Sequence, residues 1–427
     1  MVNNAICLTF CRIFLEVGTM LNIKFPYSKS ELNRIMILGS QLKGKLVIKG
    51  GSRAADILTL QQALSALGCE FETFDDEIIM CCENGLSEKG KVYIKDSATG
   101  FRLLLARLAA QPRGEYLLDA SAQLQKRPMK ELIKVLSQMG ATIATDQFPF
   151  QIKGNFLDGS NMKIDTSISS QFLSALLMIA PQCPQGLNIE LTGKRVSWEY
   201  VELTIQILRK MGIEVYTKQD KLVVLPGSRL YNPSEIEVAL DYSSACYFWA
   251  MSAVTGKSVK TIGNRRKSFQ PDAAFADLLA EMGAAVIDEA DHVIVKGNYL
   301  QGIKADMSQM PDQVPTLAVL GLMAGSEVEM TNISHLQYKE SNRIESVLTE
   351  IRRCSGEAEY KEGCLRVFPL AKYPGQVLID PHGDHRLAMA FAILKLKYPE
   401  IEIDDPAVVN KSFPDFWTEF RRFRDSE

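Results

Sequence analysis

LQQALSALGCEFET, residues 60–73, reads as an amphipathic helix that stops at Gly68 and turns at once into β-prone residues. The same pattern recurs at LIKVLSQMGATIAT (132–145), LTIQILRKMGIEVYT (203–217) and FADLLAEMGAAVID (275–288), with a weaker copy ending at Gly356. The stop glycines at 68, 140, 212, 283 and 356 are 72, 72, 71 and 73 residues apart. A glycine just past the last apolar position accepts the left-handed conformation that ends a helix. The runs EIIM, FQIKG, KLVVL, HVIVKG and CLRVF supply a strand behind each. So regular a spacing marks a repeated structural unit.

A second segment interleaves with the first: a polar, small-residue start followed by a nearly all-apolar helix. Its six copies are SKSELNRIMIL, SATGFRLLLARLA, SISSQFLSALLMIA, YSSACYFWAMSAV, PDQVPTLAVLGLMA and GDHRLAMAFAIL. Anchored at Ser30, Thr99, Ser170, Ser243, Asp312 and Asp384, they are spaced by 69, 71, 73, 69 and 72 residues. Helices apolar on every side must be buried, whereas the amphipathic ones can cover an outer surface. The expected fold class is α/β (α+β), made of six repeated βαβαββ units with buried helices and outer sheets and helices.

The 427 residues suffice for two or three domains with cores that need no staples. A net charge of -3 and a pI near 6.0 speak against a general nucleic-acid or membrane-surface binder and leave room for a local basic pocket. No apolar run reaches the ~18 residues of a membrane span. The nine cysteines show no CxxC pair and no zinc spacing, so reduced, buried thiols in a cytoplasmic protein are expected. In the opening MVNNAICLTFCRIFLEVGTM, Arg12 and Glu16 interrupt the apolar stretch and no signal-peptide cleavage site follows. MLNIKF reads as a strand, and translation is expected to begin naturally at Met20, with residues 1–19 an upstream extension.

The starts of the buried helices carry the chemistry. In SKSELNR, residues 28–34, Ser28 or Ser30 can cap the first turn and Glu31 suits the helix dipole, but Lys29 and Arg34 lie near an end that already carries positive charge. Cations at such a place suggest an anion between them. Further bases recur at equivalent junctions: Arg102, Arg127, Lys339, Arg343, Arg386 and Lys411. Arginine grips phosphate or carboxylate bidentately and lysine acts as a point charge, so the set suits a substrate with several anionic groups. Among the acids, Asp312 follows Pro311 at a helix start and Glu340 lies between Lys339 and Arg343, a pairing able to move protons in a closed pocket. Asp384 reads equally as an N-cap. GLSEKGK (85–91) imitates a phosphate loop, but Val92 stands where the magnesium-binding hydroxyl belongs and a strand follows. HGDH (382–385) lacks a third metal ligand, which favours capping and substrate contact over zinc.

With these segments in view, the chain resembles the 5-enolpyruvylshikimate-3-phosphate synthase family over nearly its whole length from about Met20. SKSELNR is similar to that family's SKSxSNR, SSQFLSALLMIAP to SSQFLTALLM, KESNRI to KExDR, GDHRLAMAF to DHRMAM and NKSFPDF to KxFPD. The resemblance implies a two-domain inside-out α/β barrel of three units each. Residues 28–239 would form one domain and 1–27 with 240–427 the other, with the active site between them closing on substrate. It implies that Ser30, Arg34, Ser169, Ser170, Ser197 and Lys339 hold shikimate 3-phosphate, with Lys29, Gln171, Asp312 and His335 also touching it. Lys29, Ala98, Arg127, Gln171, Arg343, Arg386 and Lys411 would surround phosphoenolpyruvate. Asp312 would receive the proton of the attacking 5-hydroxyl and Glu340 would deliver one to the methylene. Loss of phosphate from a tetrahedral adduct would then give the enol ether. No metal, organic cofactor, nucleic acid or membrane partner is implied, and a cytoplasmic monomer is expected.

The departures are specific. The family's NAGTAMRP is here DSATGFRLL, 96–104, with Asp96 for Asn, Ala98 for Gly and Leu103 for Pro. The Ala98 methyl, near the expected donor position, predicts reduced glyphosate sensitivity. His335 replaces an Asn expected at the sugar acid, and Trp198-Glu199 replaces a Lys-Pro pair. Three rivals fare worse. An enolpyruvyl transferase acting on UDP-N-acetylglucosamine would carry a reactive Cys loop that has no match here. An RNA-phosphate cyclase would carry a nucleophilic His motif. A non-catalytic protein of the same fold would have lost the Asp312 and Glu340 pair.

Overall fold

The computed structural model describes residues 20–144, 148–297 and 299–426. The expectation of an upstream extension, together with Cys7 and Cys11, lies outside the described residues. The chain divides into two compact units, Pro26–Ala239 and the pairing of 20–25 with 240–427. The crossing falls between Phe25 and Pro26, two residues before the expected 27/28 boundary. Phe25 belongs to the core of the second unit, whereas Tyr27 already packs on that of the first.

In chain order the first unit holds α1 (Lys29–Gly39), β2 (Lys45–Lys49), α2 (Ala55–Ser65), β3 (Glu70–Thr73) and β4 (Glu77–Cys81), β1 (Met20–Asn22) having been given to the other unit. It continues with β5 (Lys89–Ile94), α3 (Ala98–Ala109), β6 (Glu115–Ala120), α4 (Lys130–Gln138), β7 (Thr142–Ile143) and β8 (Phe150–Lys153). A third module follows with β9 (Gly159–Asp165), α5 (Ser170–Met178), β10 (Leu187–Thr192), α6 (Glu199–Lys210), β11 (Tyr216–Lys218) and β12 (Lys221–Val224), and β13 (Glu235–Glu237) closes the unit.

The second unit begins with α7 (Tyr242–Thr255), β14 (Ser258–Ile262), α8 (Phe275–Glu281), β15 (Ala285–Asp288) and β16 (His292–Lys296). Next come β17 (Lys304–Asp306), α9 (Val314–Met323), β18 (Val328–Thr331), α10 (Arg343–Arg353), β19 (Ala358–Lys361) and β20 (Cys364–Val367). Last are β21 (Val377–Ile379), α11 (His385–Lys395), β22 (Ile401–Ile403) and α12 (Phe416–Asp425).

Five four-stranded sheets share one pattern: β13-β2-β4-β3, β5-β6-β8-β7, β9-β10-β12-β11, β1-β14-β16-β15 and β17-β18-β20-β19. In each the first pair is parallel, through a helix crossover in β5-β6, β9-β10 and β17-β18 and between distant segments in β13-β2 and β1-β14, and the others are antiparallel. The sixth module departs from the expected strand count. Its sheet is only the parallel pair β21-β22, and α12 follows where the hairpin would stand. Phe416, Phe420 and Phe423 of α12 are buried among Phe248 and Phe413, so aromatic packing replaces that hairpin.

Helices α1, α3, α5, α7, α9 and α11 are buried along almost their full length, as their uninterrupted apolar sequences require. The amphipathic helices stop as expected at Gly68, Gly140, Gly212 and Gly283, all left-handed. At the weak fifth copy Ser355 takes the left-handed conformation and Gly356 does not. One sequence expectation is corrected outright: Cys69 and Cys82 are joined in a disulfide. They flank the β3–β4 pairing of Glu70 with Cys81, which brings their Cα atoms to 4.5 Å. Cys183, Cys246 and Cys354 are free and buried. Among the described residues no helix is long and apolar enough to cross a membrane.

Candidate active site

In the unit Pro26–Ala239, α1, α3 and α5 pack together and run the same way. Near their starts, Arg102 Nη1 of α3 donates to Gln171 Oε1 of α5 at 2.6 Å and to Ser169 Oγ at 3.4 Å. Gly100 leaves room for α1 there, since a Cβ on it would stand 3.1 Å from Asn33 Oδ1. At their far ends Arg107 Nε donates to Ser40 Oγ at 3.2 Å and Gln41 Nε2 to Met178 O at 2.9 Å. Three amide-rich N-termini therefore share one end of the unit, where their dipoles favour an anion. Ser28, Ser97 and Ser169 cap them, accepting from Glu31 N, Gly100 N and Gln171 N.

The expected ligands are distributed around this end. Lys29 opens α1, and its Nζ lies 2.8 Å from Asp56 Oδ2 in the first turn of α2. Ser30 follows, and its carbonyl accepts from Arg34 Nη1 at 2.8 Å. Arg34, 1% exposed, also donates to Thr204 Oγ1 at 2.8 Å, Tyr200 O at 3.1 Å and Ser174 Oγ at 3.4 Å, tying α1 to α5 and α6. Burial lowers its pKa to about 10, against weaker opposing pulls from Tyr200 and Glu31. Ser170 opens α5 beside Gln171. Ser197 is buried just before α6 with φ +51, a left-handed conformation that a serine holds only where its surroundings fix it. After it, Trp198 Nε1 donates to Glu202 Oε1 at 3.0 Å while the Arg195 guanidinium covers the indole. Ala98 is the buried first residue of α3. Asp96 accepts from the Ser121 hydroxyl, and Ser121 caps the single turn Ala122–Gln125 that leads to half-buried Arg127.

The unit containing 240–427 repeats the device with α7, α9 and α11. Asp241 caps α7 through Ser244 N at 2.7 Å, and Asp384 caps α11 through Arg386 N at 2.9 Å. Their starts meet at Ser243, whose Oγ accepts from Arg386 Nη1 at 2.6 Å and Gln313 Nε2 at 3.2 Å. Here the cations face acids. Arg343, 1% exposed at the start of α10, donates from Nε to Asp384 Oδ2 at 2.9 Å, from Nη1 to Asp312 Oδ1 at 2.9 Å and from Nη2 to Glu340 Oε2 at 2.7 Å. Arg386 Nη2 lies 2.8 Å from Asp312 Oδ2, and Lys339 Nζ 3.4 Å from Asp312 Oδ1. His335 is buried in the turn Ser334–Tyr338 that leads into Lys339. Lys411 ends the 3-10 helix Pro406–Lys411, which packs on α11.

Burial alone would push Asp312 up. Arg386, Lys339 and Arg343 outweigh it, against Glu340, and hold the carboxyl well below the usual carboxylate range. Burial likewise opposes the charge on Arg343, yet Asp384, Glu340 and Asp312 raise its pKa. The result is a desolvated cluster with a fixed anionic acceptor, a second carboxylate on the same guanidinium and cations able to turn toward a multiply charged ligand.

The sequence did not assign several of these partners. Asp56 on Lys29, Thr204 and Ser174 around Arg34, and Ser243 and Gln313 beside Arg386 all went unassigned. Arg102, one of the bases expected around an anion, holds Gln171 instead of standing apart. Their signal was a hydroxyl or acid inside an otherwise apolar helical face, as Ser174 is in SALLM and Thr204 in LTIQIL. In HGDH, His382 Nε2 lies 2.8 Å from buried Glu350 Oε1, and Asp384 is the cap.

A family model described as EPSP synthase (3-phosphoshikimate 1-carboxyvinyltransferase) matches residues 20–420. The 3-phosphoshikimate 1-carboxyvinyltransferase of Aliivibrio salmonicida (strain LFI1238) is 34% identical over 411 residues, covering 93% of this chain and 96% of its own. That of Histophilus somni (strain 2336) is 35% identical over 418 residues, covering 94% and 95%. Among solved structures, an EPSP synthase from Acinetobacter baumannii matches with a TM-score of 0.74 at 24% identity, covering 95% of this chain and 96% of that one. The enolpyruvyl transferase NikO from Streptomyces tendae matches at 0.71 and 14%, covering 96% of each. Both structural likenesses concern the fold.

Proposed function

The chain belongs to the EPSP synthase family, and from that premise we propose how its residues carry the reaction. The enzyme, a 3-phosphoshikimate 1-carboxyvinyltransferase, transfers the enolpyruvyl group of phosphoenolpyruvate to the 5-hydroxyl of shikimate 3-phosphate in aromatic amino acid biosynthesis. We assign the acceptor to Ser30, Arg34, Ser169, Ser170, Gln171, Ser197, His335 and Lys339. We assign the donor to Lys29, Ala98, Arg127, Gln171, Arg343, Arg386 and Lys411.

In this assignment Glu340 gives a proton to the methylene carbon as the 5-oxygen bonds to the neighbouring carbon, and Asp312 takes the hydroxyl proton. The tetrahedral adduct then loses phosphate, which receives the proton held on Asp312, while the methyl group returns its proton to Glu340. Atoms and charge balance without a resident cofactor. The observation that supports it best is Arg343, which holds Asp312, Glu340 and Asp384 at once. A donor that draws Arg343 and Arg386 to its own anionic groups loosens both acids at the moment they are needed.

We read each unit as an inside-out barrel of three modules, supported by the buried helices and the repeated sheet pattern, and the enzyme as a cytoplasmic monomer. The test is phosphate release from phosphoenolpyruvate that depends on shikimate 3-phosphate, with Lys29→Met expected to abolish it. Absence of turnover in the wild type overturns the reading.

A further inference from the structure

Helix α10 is tied to one short segment of chain at two places. Arg343 opens the helix, and Glu350 follows seven residues later, two turns on and therefore on the same face. Both side chains are withdrawn from water, at 1% and 0% exposure. Arg343 Nε donates to Asp384 Oδ2 at 2.9 Å. Glu350 takes the stretch just before that acid: its Oε1 accepts from His382 Nε2 at 2.8 Å and its Oε2 from Asp380 N at 3.1 Å. A carboxylate oxygen accepts, so Nε2 is the donating nitrogen of the imidazole. Half-exposed Arg353 adds Nη1 at 3.5 Å from the same Oε2. A carboxylate buried this completely keeps its place only while its oxygens are bonded.

These bonds hold a turn that ordinary residues do not adopt unaided. His382 and Gly383 are successive left-handed residues, with φ +51 and +68, and Asp384 N donates to Pro381 O at 2.8 Å across them. That is the pattern of a type I′ turn, easy for a glycine and demanding of a histidine. Asp380 Oδ1 accepts from His382 N at 2.7 Å and pins the entry, while β21, which leads into the turn, packs on α10. The exit is Asp384, which caps α11 through Arg386 N at 2.9 Å with one carboxylate oxygen and holds Arg343 with the other. Glu350 thus fixes the turn that delivers the acid that aims Arg343.

We propose that Glu350 and His382 are positioning residues of the donor site, which hold the turn 380–384 so that Asp384 keeps the Arg343 guanidinium aimed. This rests on the assignment of Arg343 to phosphoenolpyruvate. An incoming anionic donor competes for a guanidinium that Asp312, Glu340 and Asp384 already share. Of the three, Asp384 binds Nε, so Nη1 and Nη2 can turn to the ligand while the anchor stays. A loosened turn lets that anchor drift. The loss then falls on the donor, since most residues assigned to the acceptor belong to Pro26–Ala239.

The test compares His382→Phe, which keeps a ring and loses the donor, with His382→Gln, whose amide nitrogen can reach the position of Nε2. In the full-length enzyme carrying isotopically labelled arginine, the Arg343 Nε–H signal is identified by its absence from Arg343→Lys. Its exchange with solvent should be about tenfold faster in His382→Phe. In steady-state assays the same variant should raise the KM for phosphoenolpyruvate about 10–10²-fold and that for shikimate 3-phosphate less than about twofold. His382→Gln should restore both readouts, which a merely structural role would not arrange. Should His382→Phe fail to fold, Glu350→Asp withdraws the carboxylate by one methylene and carries the same expectations. Exchange at the wild-type rate in the folded variant, or KM values that move together or not at all, overturns the proposal. Faster exchange, reversed by the glutamine, in an enzyme without turnover would sink the proposed function and leave the hold on Arg343 standing, whereas turnover with unchanged exchange would do the reverse.

Discussion

The two units bury their arginines in opposite company. In Pro26–Ala239, Arg34 and Arg107 are bonded to hydroxyls, amides and backbone carbonyls, and burial lowers both to about 10. In 240–427, Arg343 is bonded to three carboxylates and is raised by them. The first arrangement keeps positive charge with little local anion to satisfy it, which supports the proposed placing of a phosphorylated acceptor there. The second neutralises its cations with groups that can carry protons. The same helix architecture thus surrounds buried arginines with neutral groups in one unit and with carboxylates in the other, the difference on which the proposed binding and acid–base roles rest.

The contrast can be broken most sharply at Arg343. Arg343→Met leaves Asp312, Glu340 and Asp384 facing one another, and urea unfolding should show a loss of about 3–5 kcal/mol, with turnover abolished. Glu340→Gln should next lower kcat by about 10²–10⁴ in steady-state assays while urea unfolding moves little. Arg34→Met removes a cation whose hydrogen-bond partners are all neutral, with Glu31 acting on it only at a distance. Its expected cost is smaller, about 1–2 kcal/mol by urea unfolding, with the KM for shikimate 3-phosphate raised more than that for phosphoenolpyruvate. A loss at Arg34 as large as that at Arg343 would erase the distinction.

Two buried acids of 240–427, Asp312 and Asp272 of the turn Pro271–Ala274, give slopes of opposite sign. Asp312 is depressed in the folded state, so its contribution is fully present above the unfolded pKa of about 3.9 and is lost as pH falls through its folded value. Asp272 is raised to about 6, so the folded chain holds a proton that the unfolded chain has released, and stability falls as pH rises through that window. Asp272→Asn should therefore gain on the wild type in urea midpoint as pH goes from 4 to 7, roughly its two pKa limits, and Asp312→Asn should flatten the acid limb. The smallest effect is expected at Ala98→Gly, a deleted methyl that should increase glyphosate inhibition by roughly fourfold in the same assay.

The architecture was largely legible because its signals are periodic. Helix-stopping glycines and apolar helices recur at nearly constant spacing, and the serines and aspartates at their starts become caps. The sixth module was misjudged because α12 substitutes aromatic packing for a hairpin, which no spacing reveals. The disulfide escaped because Cys69 and Cys82 become neighbours only through strand register. At the site, the residues assigned a role lie in recognisable segments, while Asp56, Thr204 and Ser174, which hold them, carry no such signal. Each acts through another side chain, so its position depends on helix packing rather than on any local pattern.

The exchange of end strands also bears on how the chain can fold. β1 pairs in parallel with β14, Met20 against Ser258, and β13 pairs with β2, Glu235 against Val47. Neither sheet can be completed from contiguous sequence, and the first unit's opening module must wait for the last residues of that unit to be synthesised. Loop closure over such separations is slow relative to local helix formation. The modules closed from neighbouring sequence are thus the natural nuclei, and each unit is completed last at the module that takes the distant strand.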